Sequence, residues 1–472
     1  LLADGHRADD VYGTFNVLVR RRKENNFKAT LECIRDLVTS PTSVPDWLHD
    51  VLLGYGDPAG AAYWSLPSDE RVVDFDFYDT FLDLDHVRES FPACDVKLDP
   101  TVTSSSLPPP PFRLRIPMDT PRAPEITPDD GPRPVVEVSP YPAVIAGPYP
   151  DDAPRFNTIR FTPLQAEALR ASMNPGLTLV VGPPGTGKTD TVVQMIANIF
   201  HMFPTQRTLV VAHSNQALND VFEKLLLRDM DERYLLRLGH GEDLLATTKD
   251  FSRRGRVDHM LQRRLDLLAR VDELGRVLGA TADVGYTCET AQYSYLTTVV
   301  PRWKAYESAL REARAPRGDA SSSCAAELFP FTEFFADAPQ PIFAGKSLDA
   351  DTDRARACFR HVEAIFSELE ECRPFELLRS SHDRGNHLLT THAKVIAMTC
   401  THAALNRRDF LALGFQYDNL VMEEAAQMLE IETFIPMVLQ APDVATGRSR
   451  LKRVALIGDH NQLPPVVKNS AF

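Results

Sequence analysis

The chain contains no apolar run approaching the length of a membrane-spanning helix, so no membrane partner is expected. Cysteine is sparse and shows no pairing pattern. There are seven, an odd number, and no C-x-x-C among them. That argues against a zinc ribbon or a disulfide-stapled fold and leaves reduced thiols as the expected state. Positive charge is also in short supply: 51 Lys and Arg stand against 65 Asp and Glu, a formal net charge of −14. Such a balance argues mildly against a general nucleic-acid coat and leaves room for a local basic patch. Runs at Arg20–Lys23, Arg253-Arg254 with Arg256, Arg263-Arg264 and Arg448–Arg453 are candidates, each with a solvated helix face or loop as its competing reading. No internal repeat is visible. The chain opens on Leu1-Leu2-Ala3 without an initiator Met or a leader-like region, as expected of a piece of something longer, so location cannot be read from its start.

What is present fits an ordinary soluble protein. With 472 residues, 43% hydrophobic and 25% charged, two or three domains are expected. Residues 1–99 mix strand-like and helical signals, with a strand expected at Val11–Val19 and a helix over Asn25–Thr39. Residues 100–155 hold nearly half of the chain's 36 prolines and read as an extended or disordered linker, interrupted by a short strand at Pro111–Ile116. From residue 156 to 472 the pattern is α/β. Five short apolar runs, Leu177–Val181, Thr208–Ala212, Lys394–Met398, Asn419–Met422 and Val454–Ile457, predict buried parallel strands. Between the second and third lies a long gap, read as a mostly helical insertion over 220–390. It includes an amphipathic helix presenting Val257, Met260, Leu261, Leu265, Leu268, Val271, Leu274, Val277 and Leu278, then helices at Arg302–Arg314 and Asp353–Leu369 with a Ser/Ala-rich break at Ala320–Ala326.

The densest chemistry is Gly182-Pro183-Pro184-Gly185-Thr186-Gly187-Lys188-Thr189, placed directly after the first of those strands and before a helical pattern. This is the spacing of a nucleoside-triphosphate phosphate loop in the setting its chemistry requires. Glycines let successive backbone N–H groups face phosphate oxygens, Lys188 sets a compact charge on the β/γ-phosphates, and the Thr189 hydroxyl can ligate Mg²⁺. The helix that follows aims its positive dipole end at the same anion.

Three further features surround the loop. Glu423 and Glu424 follow the strand Asn419–Met422, at the end where open α/β sheets build their sites. Glu423 is expected to hold the Mg²⁺ shell and Glu424 to orient and deprotonate the attacking water; the competing reading is a carboxylate pair capping the next helix. Gln462, in Gly458-Asp459-His460-Asn461-Gln462, is a neutral donor suited to sensing a γ-phosphate; without the other features, Gly-Asp before Pro-Pro is a turn. Gln165, in Phe161-Thr162-Pro163-Leu164-Gln165, has an amide able to pair with adenine, but a Thr-Pro helix start with a solvent-facing Gln explains it equally well.

In their order these segments resemble the superfamily 1 helicases. The resemblance implies an ATPase with Mg²⁺ and a P-loop, RecA-like parallel sheet with a mostly helical insertion, preceded by a mixed α+β accessory region. It also implies nucleic-acid backbone contacts at Ser214 and Asn215, in Ala212-His213-Ser214-Asn215-Gln216-Ala217, and at Thr399, Thr401 and His402, in Met398-Thr399-Cys400-Thr401-His402. The competing role for Ser214 and Thr399 is loop capping. A closer likeness, to the intron-binding, RNA-helicase-like ATPases of the spliceosome, rests on Glu24–Ala29, Val44–His49, Asn157–Ala171, His213–Asn219, Leu236–Gly241, Tyr286–Thr290, Ala338–Phe343 and Met422–Gln427. It implies a nuclear protein that binds intron RNA, as a single strand or heteroduplex, among spliceosomal proteins. Two departures stand out. Most relatives carry Asp where Glu423 stands, and the chain stops at Phe472, so the second RecA-like lobe is expected to lie outside it and the chain alone to be a weak enzyme. The alternatives are a nucleotide-stabilised scaffold that binds RNA and proteins without unwinding, and a DNA helicase or helicase-linked nuclease.

Overall fold

The computed structural model describes residues 27–39, 44–62, 65, 74–77, 79–99, 110–117, 133–140, 147–239, 241, 244–280, 283–314, 323–345, 347–443 and 447–465. The strand expected at Val11–Val19, the basic run Arg20–Lys23 and much of the proline-rich segment lie outside these residues. The helix expected over Asn25–Thr39 is observed at Phe27–Thr39.

Alternation builds the first sheet. In β1 (Asp74–Phe77), β2 (Asp95–Leu98), β3 (Phe112–Arg115) and β4 (Val135–Pro140) the sheet order is β1-β3-β4-β2. β3 runs antiparallel to β1 and β4, whereas β2 pairs parallel to β4. Phe75, Phe77, Phe112, Leu114, Val136 and Val138 point to one buried face, as a period of two requires. The other face is charged, with Arg115 paired to Asp74 at 3.1 Å and Arg113 bonded to Asp76. Two of these strands come from the segment that composition marks as a linker. The one at 112–115 was expected; β4 was not, its Val-Val-Glu-Val alternation being masked by the surrounding prolines.

The second sheet is the chassis of the site. β5 (Gly176–Val181), β6 (Thr208–Ala212), β7 (Leu235–Arg237), β8 (Val395–Thr399), β9 (Asn419–Glu423) and β10 (Arg453–Gly458) form a parallel sheet of order β5-β10-β9-β6-β8-β7. All five expected strands are present, each end within one residue of its expected place. The central strands are buried on both faces: Leu209 and Val211 of β6 enter one core, Val210 and Ala212 the other. The second core also contains Val192, Val193, Met195 and Ile196 of the helix Lys188–Met202, together with the phenylalanines of the first sheet. The accessory sheet is therefore packed against the helix that follows the phosphate loop.

β7 corrects the reading of residues 220–390. Leu235–Arg237 is a strand of the motor sheet, and Asn215–Leu226 a helix packed on it through Leu218, Val221, Phe222 and Leu225. The helical insertion proper leaves after β7 and returns into β8. Its main helices are Arg253–Val277, Val300–Arg314 and Leu348–Leu377, with Trp303 stacked on Phe359 at 4.3 Å. Leu265, expected in the apolar stripe, is 52% exposed. The stripe runs through Arg264 instead, whose guanidinium reaches Glu376 at 3.1 Å, and Leu267 and Leu268 take the buried places. Within the Ser/Ala-rich break, Ser323–Leu328 is a short helix; the residues before it lie outside those described.

Candidate nucleotide and nucleic-acid sites

The phosphate loop is shaped by its glycines and held by its neighbours. Gly187 sits at φ 73°, in the left-handed region, and caps the helix Lys188–Met202. A Cβ there would come within 2.8 Å of Gln165 Nε2, so both conformation and space favour glycine. Lys188 Nζ donates to the carbonyls of Gly182 at 2.6 Å and Pro183 at 2.9 Å, folded into the loop where phosphate oxygens would compete for it. Thr186 Oγ1 donates to Pro183 O at 2.8 Å. A cleft of about 860 Å³ opens beside the loop, lined among others by Gln165, Leu179, Val181, Gly185 and Lys188.

The strand-end carboxylates meet this loop. Glu423 closes β9 and is 5% exposed; its Oε1 accepts the Thr189 hydroxyl at 2.8 Å. Its Oε2 is buried without a hydrogen-bond partner. Burial, reinforced by the charge of Glu424, pushes the Glu423 carboxyl up to about 7 against the opposing Thr189 hydrogen bond. A buried oxygen lacking a donor, beside a threonine hydroxyl, is the donor set a hard divalent cation takes. Glu423 and Thr189 thus fit Mg²⁺. The next residue, Glu424, has φ 55° and is the one non-glycine with positive φ among the described residues. This strained turn separates the two carboxylates and leaves Glu424 half-buried, with no side-chain hydrogen bond or ion pair among the described residues, so its oxygens are available to accept from a water.

Gln462 lies exposed after β10, its amide on Asp459 Oδ2 at 3.0 Å. That bond, the Asn461 N–H and the nearby Lys188 charge hold the Asp459 carboxyl below the usual range. β10 is anchored to the loop where Gly182 N–H meets Gly458 O at 3.2 Å. Gln165 is fully engaged. Its carbonyl accepts from Thr162 N–H at 2.8 Å in a capping box, and its amide donates to Thr186 O at 2.9 Å. In this state it fastens the helix Pro163–Met173 to the phosphate loop.

The residues expected to meet nucleic acid lie on the same rim, at the far side of the sheet. Ser214 accepts from Ala217 N–H at 3.1 Å and Thr399 from His402 N–H at 3.2 Å, so both hydroxyls cap helices, as the competing reading held. Thr401 and His402 occupy the first turn after Thr399, half-buried. Asn215 Oδ1 accepts from Arg237 Nη2 at 2.8 Å. Arg237, fully buried at the end of β7, also donates to Asn219 Oδ1 at 3.1 Å and to Leu238 O. Sequence reasoning passed over it; the available signal was a charged residue inside Leu235-Leu236-Arg237-Leu238. The basic runs among the described residues are largely committed elsewhere: Arg263 to Glu368, Arg264 to Glu376, Arg450 to Asp418, and Arg256 and Arg453 in the core. No helix among the described residues is long and apolar enough to cross a membrane.

Residues 161–470 match the family model described as the AAA domain, and residues 70–153 the intron-binding protein aquarius insert domain, which takes in all four accessory strands. The chain is 54% identical to RNA helicase aquarius of Mus musculus over 98% of its own length and 32% of that protein's. It is 26% identical to pre-mRNA-splicing factor cwf11 of Schizosaccharomyces pombe, over 61% of the chain and 21% of that protein. With DNA polymerase alpha-associated DNA helicase A of Saccharomyces cerevisiae it shares 35% identity over 64% of the chain and 32% of that protein. The chain spans a third or less of each of these relatives.

Proposed function

From a chain that belongs to the AAA-domain family, we propose the first motor lobe of an ATP-dependent RNA helicase-type enzyme of pre-mRNA splicing, acting on intron RNA in the nucleus among spliceosomal proteins. The observation that carries the enzymatic part is the Thr189–Glu423 contact at 2.8 Å, which joins the phosphate loop to a strand-end carboxylate bearing a buried, unpartnered oxygen. Thr189 and Glu423 would hold Mg²⁺, which supplies charge neutralisation to the phosphates. Lys188 exchanges its two loop carbonyls for phosphate oxygens, Glu424 orients and accepts a proton from the attacking water, and Gln462 reads the terminal phosphate. Ser214, Asn215, Thr399, Thr401 and His402 contact the RNA backbone. The choice of RNA leans on the likeness to RNA helicase aquarius, which extends through the accessory sheet, whereas the DNA helicase relative matches 64% of the chain.

The test is RNA-stimulated ATP hydrolysis by a protein extending this chain to the length of its relatives, with Lys188→Ala alongside. Stimulation abolished by the substitution, a loss of about 100-fold or more, is expected. ATP binding without stimulated, Lys188-dependent turnover would replace the motor by the scaffold reading. Tighter binding to a single-stranded DNA than to the matched RNA would reassign the nucleic acid.

A further inference from the structure

His213 and Cys400 each stand one residue beyond a strand of the motor sheet, His213 after β6 and Cys400 after β8. Those strands pair in parallel with Ala212 opposite Thr399, so the next residues on each face one another across the rim. Glu432 approaches from the helix Glu430–Met437. One ligand atom from each of the three residues lies within 4.8 Å of the others. His213 Nδ1 is shut away from solvent and has no hydrogen-bond partner. Glu432 Oε2 accepts the Leu429 N–H at 3.3 Å, which leaves its second oxygen available. Cys400 is 1% exposed.

We propose that His213, Cys400 and Glu432 form a divalent-metal site of the zinc class that clips together the strand-end loops of β6 and β8. One sulfur, one imidazole nitrogen and one carboxylate oxygen are the mixed donor set that Zn²⁺ accepts in tetrahedral geometry, with a water as the fourth ligand. His213 is part-exposed, which gives the ion an entrance and the water a place. In the tautomer that leaves Nδ1 unprotonated, the unpartnered nitrogen presents a lone pair sealed from solvent, and a cation satisfies it where no protein donor does. The site is separate from the Thr189–Glu423 pair, which offers oxygen donors only and suits a harder ion.

Co²⁺ added to the chelator-stripped chain is the direct probe. The expected result is a near-ultraviolet thiolate-to-cobalt charge-transfer band that saturates at one ion per chain and is displaced by Zn²⁺. Cys400→Ser should abolish the band, and His213→Gln should weaken Zn²⁺ binding at least tenfold while leaving the thiol in place. Should Cys400→Ser unfold, as circular dichroism would report, the part-exposed His213→Gln decides by itself. Absence of the band in the native chain, its persistence in Cys400→Ser, or unaltered Zn²⁺ affinity in His213→Gln would overturn the proposal.

Discussion

At the scale of single residues, Gln165 shows how one side chain can be legible in type and ambiguous in role. Its amide is spent between Thr162 N–H and Thr186 O, so Gln165→Ala removes both a helix cap and a loop tether. A destabilisation of roughly 1 kcal/mol is expected from the lost cap, read as a lower urea midpoint. Equal loss of affinity for ATP, GTP and CTP follows if tethering is the whole role; loss confined to ATP would make Gln165 the adenine reader. Glu423 gives a pH signature. Its carboxyl titrates at about 7 when folded against 4.5 for the free group, so the folded chain holds this proton more tightly than the unfolded one. Its contribution to stability is therefore greatest below pH 4.5, declines between 4.5 and about 7, and is flat above, a change on the order of 3 kcal/mol. Unfolding midpoints of the metal-free chain should show that decline and Glu423→Gln should lack it; identical slopes for the two would remove the assignment.

At the scale of elements, the parallel strands were readable because burial on both faces leaves them as uninterrupted apolar runs. Leu235–Arg237 escaped detection for the opposite reason. It is three residues long and ends on a buried arginine, which hydropathy scores as surface. β4 was hidden by proline content that marks a segment as extended without saying whether it is paired. The His213, Cys400 and Glu432 cluster left no mark either, since its members are far apart in the chain and meet only through the register of β6 with β8 and the approach of the helix Glu430–Met437. Arg237 is the element-scale test. Its guanidinium serves Asn215, Asn219 and Leu238 O at once, a geometry that a lysine ammonium cannot reproduce. Arg237→Lys should cost about 1–3 kcal/mol in denaturant unfolding for the acceptors left unpaired. It should also weaken RNA binding by freeing Asn215; an unchanged affinity would remove Asn215 from the contact surface.

At the scale of the molecule, the accessory sheet and the motor lobe share one core, so the phenylalanines of β1 and β3 help fix the helix that begins at Lys188. The chain spans about a third of its mouse relative, and its cleft is poor in free cations. Of the two cationic side chains lining it, Arg160 is committed to Asp83 at 3.0 Å and Glu89 at 2.9 Å, leaving Lys188. Beyond one ammonium and the Mg²⁺ that Thr189 and Glu423 would hold, phosphoryl transfer draws on further cationic side chains at the transition state. The chain alone should therefore bind ATP in a calorimeter, hydrolyse it slowly and unwind no duplex; turnover matching that of a full-length relative would refute this.

The register of the middle strands carries one more consequence. Glu423 of β9 lies opposite Ala212 of β6, and Ala212 lies opposite Thr399 of β8. These three residues form a crossbar over two strand spacings, roughly 10 Å from end to end. In the proposed function, fuel would be handled at the Glu423 end of the bar and the track gripped at the Thr399 end. On that proposal throttle and wheel would share one short axle, because only β6 stands between Glu423 of β9 and Thr399 of β8.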